Sequence, residues 1–216
     1  MSESFIDYAA LEQAIVKTEP FPYMVLPHFI KTQRLTALVD SFPEITNRGS
    51  IPVTSVTHQP LFQQLVQELE GPALRQGIAE KFAMNLNEKP TMLTLRGNTT
   101  ERDGAIHTDS KSKLITLLLY MNPTWDKAEG QLRLLKNKHS LDDYVEEISP
   151  HAGSCVIFKV TRNCWHGHKP FVGKRSSMQL NYLDGEAALA KHLNHHRFTA
   201  WLKKLFPRVF HHNENY

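Results

Sequence analysis

The spacing of apolar residues changes near position 90. Before it, they recur at helical intervals: Tyr8, Leu11, Ile15 and Val16, then Leu35, Leu38, Val39 and Phe42 behind a Thr32 cap. Leu61, Phe62, Leu65 and Leu69 predict a third helix with Pro60 in its first turn. Gly71-Pro72 ends that helix, and Leu74, Ile78 and Phe82 open a fourth. The proline-bracketed stretch 21–27 reads as extended. Beyond position 90 the chain alternates instead, and segments 91–97, 113–121, 131–135, 154–160 and 176–183 predict short strands. Asn122-Pro123, Ser149-Pro150 and Gly153 supply turns between them. After Gly185, the residues Leu189, Leu193, Phe198, Trp201, Leu202 and Leu205 give a helical stripe that Pro207 closes. The expectation is a mainly β core with flanking helices, an α+β barrel or jelly roll, in one domain. Helical support would occupy 1–88, the β core 89–185 and a C-terminal helix 186–216.

Composition adds little. With 216 residues, 41% apolar and 22% charged, the chain is an ordinary globular domain. A formal charge of +3 points to neither nucleic acid nor membrane. No apolar run spans a bilayer, and the start lacks the pattern of a secretory leader. The two cysteines, Cys155 and Cys164, read as free thiols of a reducing cytoplasm, with Cys164 buried and inert. The histidines and lysines after position 190 read as a solvated helix face.

The chemistry is concentrated in the β region. In His107-Thr108-Asp109 an imidazole and a carboxylate stand two residues apart, a spacing that on extended chain aims both side chains the same way. His166 follows the apolar strand ending near Val160 and supplies a second imidazole. Two histidines and one carboxylate on one side of a ferrous ion leave adjacent positions open for a co-substrate and dioxygen. Nine residues after His166 comes Arg175, whose planar fork suits the far carboxylate of a bound keto diacid, with Ser177 on the same strand face. Thr116 and Tyr120 share a face opposite Leu117 and Leu119, and inward hydroxyls on a core strand fit a polar ligand. Arg96 and Arg133 either line the barrel mouth, where an anionic substrate would meet them, or sit at the surface.

The stretch from 91 to 184 resembles the double-stranded β-helix core of the prolyl 4-hydroxylase-type 2-oxoglutarate oxygenases. His107-Thr108-Asp109 is similar to that family's first metal motif, and Leu119-Tyr120-Met121-Asn122 to the strand bearing its co-substrate tyrosine. Gly130-Gln131-Leu132, Pro150-His151-Ala152-Gly153, and then His166, Pro170 and Arg175 follow in the family's order. Two departures stand out: Glu129-Gly130 replaces a glycine pair, and His168 takes a commonly apolar position where it rivals His166 as a ligand. The resemblance implies a jelly roll, Fe(II), and the co-substrates 2-oxoglutarate and O2. It also implies hydroxylation of a peptidyl side chain or a small metabolite with release of succinate and CO2. Tyr120 is then the co-substrate tyrosine. A cupin-like isomerase or sugar-binding module without oxygen chemistry remains the alternative, and it has no use for Arg175 and Ser177.

Overall fold

The computed structural model describes residues 4–46 and 48–194. Four helices precede the β region: α1 (Tyr8–Gln13), α2 (Thr32–Asp40), α3 (Pro60–Leu69) and α4 (Pro72–Lys81). The strands are β1 (Tyr23–Leu26), β2 (Ile51–Pro52), β3 (Thr91–Thr99), β4 (Lys113–Tyr120), β5 (Leu132–Leu135), β6 (Tyr144–Ile148), β7 (Cys155–Lys159), β8 (His166–Gly167) and β9 (Gly173–Leu183). They form a six-stranded sheet in the order β1-β7-β4-β9-β3-β2 and a three-stranded sheet β6-β5-β8. Every pairing within these sheets is antiparallel. This is the double-stranded β-helix with helices packed on one side.

Period-two alternation decides what each face of the large sheet meets. Leu93 and Leu95 of β3, Leu117 and Leu119 of β4, and Leu180 and Tyr182 of β9 point one way, into a core shared with the helices. On α3 the buried residues Phe62, Leu65, Val66 and Leu69 follow the 3.6-residue period and supply the matching stripe. Each such side chain removed from water contributes about 1.5–3 kcal/mol. The opposite face points toward the small sheet, where Tyr120, Leu132, Leu134, Val156 and Phe158 form a second cluster. One end of that inner space is polar, and the site lies there.

Some local expectations need correction. Thr32 is the first residue of α2 rather than its cap; Lys31 occupies the cap position and makes no side-chain cap bond. The stretch 21–27 is extended as expected and forms β1; β2 was not expected. The two strands lie at the edges of the large sheet, so segment 1–88 combines helices with edge strands. β6 carried little apolar signal, since it is an edge strand held by ion pairs: Glu147 opposite Arg133, and Glu146 with Lys17. A helix does follow Gly185 and is described over 186–194; the stripe residues Phe198, Trp201, Leu202 and Leu205 lie outside the described residues. Cys155 and Cys164 are buried and free. Among the described residues, no helix is long and apolar enough to cross a membrane.

Candidate metal centre

His107 does not lie on a strand as its spacing suggested. It sits in a loop fixed by a two-way main-chain bridge with His166, each backbone N–H donating to the other's carbonyl at 3.0 Å. That bridge extends the small sheet by one residue and sets the two imidazoles 4.3 Å apart, centroid to centroid. Asp109 follows, and its carboxylate joins the rings so that the three potential ligand atoms lie within 4.8 Å of one another. Gly104 makes this approach possible. Its φ is +92°, its carbonyl accepts from the His168 N–H at 2.9 Å, and an added Cβ would lie 2.4 Å from the His168 carbonyl oxygen.

Both rings are oriented by carbonyls two residues upstream. Nδ1 of His107 lies 2.9 Å from the Ala105 carbonyl, and Nδ1 of His166 lies 2.8 Å from the Cys164 carbonyl. A carbonyl only accepts, so each Nδ1 carries the proton and each Nε2 offers a lone pair. Burial, followed by the nearby His107 ring, depresses His166 to a pKa of about 4, which keeps it neutral and able to ligate. Burial alone would raise the Asp109 carboxyl. The Lys113 ammonium, 2.7 Å from Oδ1, and then His166 and the hydrogen bonds from Lys113 and Thr116 outweigh it, and the net direction is down. Two imidazoles beside an ionised carboxylate are the donor set that suits Fe(II).

Thr116 takes a different place from the one expected. It does not line the cavity; its hydroxyl donates to Asp109 Oδ2 and accepts from Asn181 Nδ2 at 2.8 Å. Asn181 in turn accepts from Gln179 Nε2 at 3.0 Å, and Gln179 does line the cavity. The strand register causes this: Thr116 lies opposite Asn181 on β9, at the Asp109 end, whereas Tyr120 lies opposite Ser177 at the other. Lys113, Asn181 and Gln179 were missed in the sequence, although Arg175, Ser177, Gln179 and Asn181 mark a polar face on an otherwise apolar strand. We expect Thr116→Val to weaken iron binding about 10- to 100-fold while the secondary structure stays intact. Competition with a colorimetric chelator measures it, and unchanged affinity would show that Asp109 needs no such support.

At the far end of the cavity stands Arg175, with 5% of its surface exposed. Its Nε donates to the Gly130 carbonyl at 2.7 Å and its Nη2 to the Tyr120 hydroxyl at 3.3 Å. No carboxylate pairs with it among the described residues. Because the Tyr120 oxygen accepts from Arg175, its own proton is free to donate into the cavity, and burial raises its pKa so that the proton stays. Ser177, buried, lines the same wall. His168 also lines the cavity but stands outside the three-residue ligand group; its Nδ1 is bonded to the Lys169 carbonyl at 2.8 Å. Arg133 faces away, paired with Glu147 and Asp142 and stacked on Tyr144.

Residues 96–183, which contain the triad and Arg175, match the model of the 2OG-Fe(II) oxygenase superfamily. No curated protein sequence matches the chain. Among solved structures, a Pseudomonas putida prolyl-4-hydroxylase is similar at TM-score 0.58 and 18% identity, over 85% of this chain and 96% of that one. A Burkholderia pseudomallei oxidoreductase of the 2OG-Fe(II) oxygenase family gives 0.52 and 10% over 86% and 93%. The viral collagen prolyl hydroxylase of Paramecium Bursaria Chlorella virus-1 gives 0.54 and 12% over 76% and 96%. The stretch 96–183 is thus similar to the 2-oxoglutarate- and Fe(II)-dependent oxygenase superfamily, whose members use Fe(II), 2-oxoglutarate and O2. The chain has the fold of the prolyl 4-hydroxylase type.

Proposed function

We propose that this protein hydroxylates a C–H bond of a small metabolite or a peptidyl side chain: R–H, O2 and 2-oxoglutarate give R–OH, succinate and CO2. One observation carries the reading. A guanidinium without a counter-ion among the described residues is buried in the same cavity as both histidines of a two-histidine, one-carboxylate cluster. An unpaired buried cation is costly, and a dicarboxylate that also reaches the metal cluster removes the cost.

Nε2 of His107, a carboxylate oxygen of Asp109 and Nε2 of His166 would hold the iron. When bound, iron, O2 and 2-oxoglutarate together would supply the oxidising chemistry that a protein side chain lacks, with O2 the oxidant. The chain's own residues orient and shield. Arg175 holds the distal carboxylate with a charge-assisted fork, while the hydroxyls of Tyr120 and Ser177 donate to the same group. Leu118 and Leu132 give the cavity apolar walls that limit water. Thr116 and Lys113 keep the Asp109 carboxylate ionised and fixed in direction. The two buried free thiols support a reducing, cytoplasmic setting.

Anaerobic protein loaded with Fe(II) should develop a visible charge-transfer band when 2-oxoglutarate is added. Admission of oxygen should then yield one succinate per 2-oxoglutarate consumed. Absence of the band in wild-type protein overturns the reading.

A further inference from the structure

The cavity has a second half. Across the large sheet, the residues facing inward form a grid. Tyr120 of β4 stands beside Ser177 of β9, and Ser177 stands beside Arg96 of β3. One row closer to the metal, Leu118, Gln179 and Thr94 repeat the pattern. The columns on β4 and β9 carry the groups assigned above to 2-oxoglutarate. The column on β3, with Ser50 beyond it, is lined by Thr94 and Arg96 and belongs to neither metal nor co-substrate. Ser50, Thr94 and Arg96 are polar, and among the described residues the rings that line the cavity are those of Tyr120, His107, His166 and His168.

Arg96 is the charged member of this half. Its side chain is 28% exposed, so it is reachable from the mouth, and among the described residues it makes a single hydrogen bond, from Nη1 to Asp103 Oδ1 at 2.7 Å. Asp103 is anchored separately by the backbone N–H and hydroxyl of Thr100 on its other oxygen. The remaining guanidinium edge of Arg96 is thus held in place with donors to spare. Charge balance points the same way. Summed over Lys113, Asp109, Arg96, Asp103 and Arg175 with a dicationic iron and dianionic 2-oxoglutarate, the site keeps one net positive charge. One more anion restores neutrality.

We propose that the primary substrate is a small polar molecule bearing a carboxylate or phosphate, and that Arg96 is the residue that anchors that group. The inference rests on the oxygenase reading above and specifies what occupies the other half of its site. The competing role for Arg96 is a clamp that ties β3 to the loop leading to His107 through Asp103.

Two variants separate these roles. Wild type, Arg96→Met and Asp103→Asn are each loaded with Fe(II) and 2-oxoglutarate. Each is then given free amino acids and other small carboxylic acids beside their primary amides, and phosphate monoesters beside their parent alcohols. Succinate formation and oxygen-dependent mass gain are scored. We expect at least one anionic compound to stimulate wild type and to gain oxygen, its neutral counterpart not to. Arg96→Met should raise the KM for that compound about 10- to 100-fold, the scale of lost charge-assisted hydrogen bonds, while Asp103→Asn keeps or lowers it. Equal stimulation by the neutral compound, equal losses in both variants, or turnover of a neutral peptide alone overturns the proposal. A wild-type protein that forms no charge-transfer band with 2-oxoglutarate instead refutes the oxygenase reading.

Discussion

Arg175→Ala is expected to weaken 2-oxoglutarate binding by about one to three orders of magnitude. The variant removes one partner of a buried, hydrogen-bonded charge pair, a loss of about 2–5 kcal/mol, or roughly 30- to 3,000-fold in affinity. It also strips the Tyr120 hydroxyl and the Gly130 carbonyl of a donor each. Arg175→Lys should recover part of the affinity, since charge survives but the bidentate fork does not. Anaerobic titration of the charge-transfer band reads both. Trp125 and Phe171 pack around Gly130, with ring centroids 4.8 Å apart, and hold the carbonyl that aims the guanidinium. An Arg175→Ala band that titrates like wild type would remove this residue from co-substrate binding.

The second large effect concerns the ligands themselves, and the two loop ligands should differ in a telling way. His107→Ala and Asp109→Ala should both lose iron more severely than the 10- to 100-fold that outer partners usually carry, and neither should form succinate. Their effects on folding should diverge. The His107 ring is exposed, and the bridge to His166 is made by main-chain atoms that alanine retains. Its melting temperature without metal should therefore stay near wild type. Asp109→Ala leaves the Lys113 ammonium, 11% exposed, without its carboxylate, and leaves Thr116 without its acceptor. Removing one partner from a buried pair costs about 3–5 kcal/mol where the stranded charge stays buried. A clear fall in melting temperature for Asp109→Ala and not for His107→Ala is the expected pattern. Normal turnover by either variant would contradict the ligand assignment, whatever the stabilities.

The cluster of His107, Asp109 and His166 was legible in the sequence, because these residues carry chemistry that ordinary core positions do not. A histidine and an aspartate two apart, a distant histidine, and an arginine nine residues later are hard to place otherwise in one order. The strands β3, β4, β7 and β9 were also readable, since each alternates or is continuously apolar. What escaped detection depends on pairing between strands. Nothing local to Thr116 says that it faces Asn181 rather than Ser177, and that register turns a hydroxyl from co-substrate contact into carboxylate support. β8 is two residues long and is defined by its partners. The two arginines left open at the mouth were separated by geometry alone: Arg133 closes an ion-pair network on the small sheet, and Arg96 turns inward.

The histidine tautomers have a consequence of their own. The groups that steer them are the carbonyls of Ala105 and Cys164, and a point substitution changes a side chain without deleting a carbonyl. The ring settings are thereby insulated from drift at both positions, provided the loop keeps its path. Such a centre can exchange its surroundings, and with them its choice of substrate, while the grip on the ion is inherited unaltered from the peptide backbone.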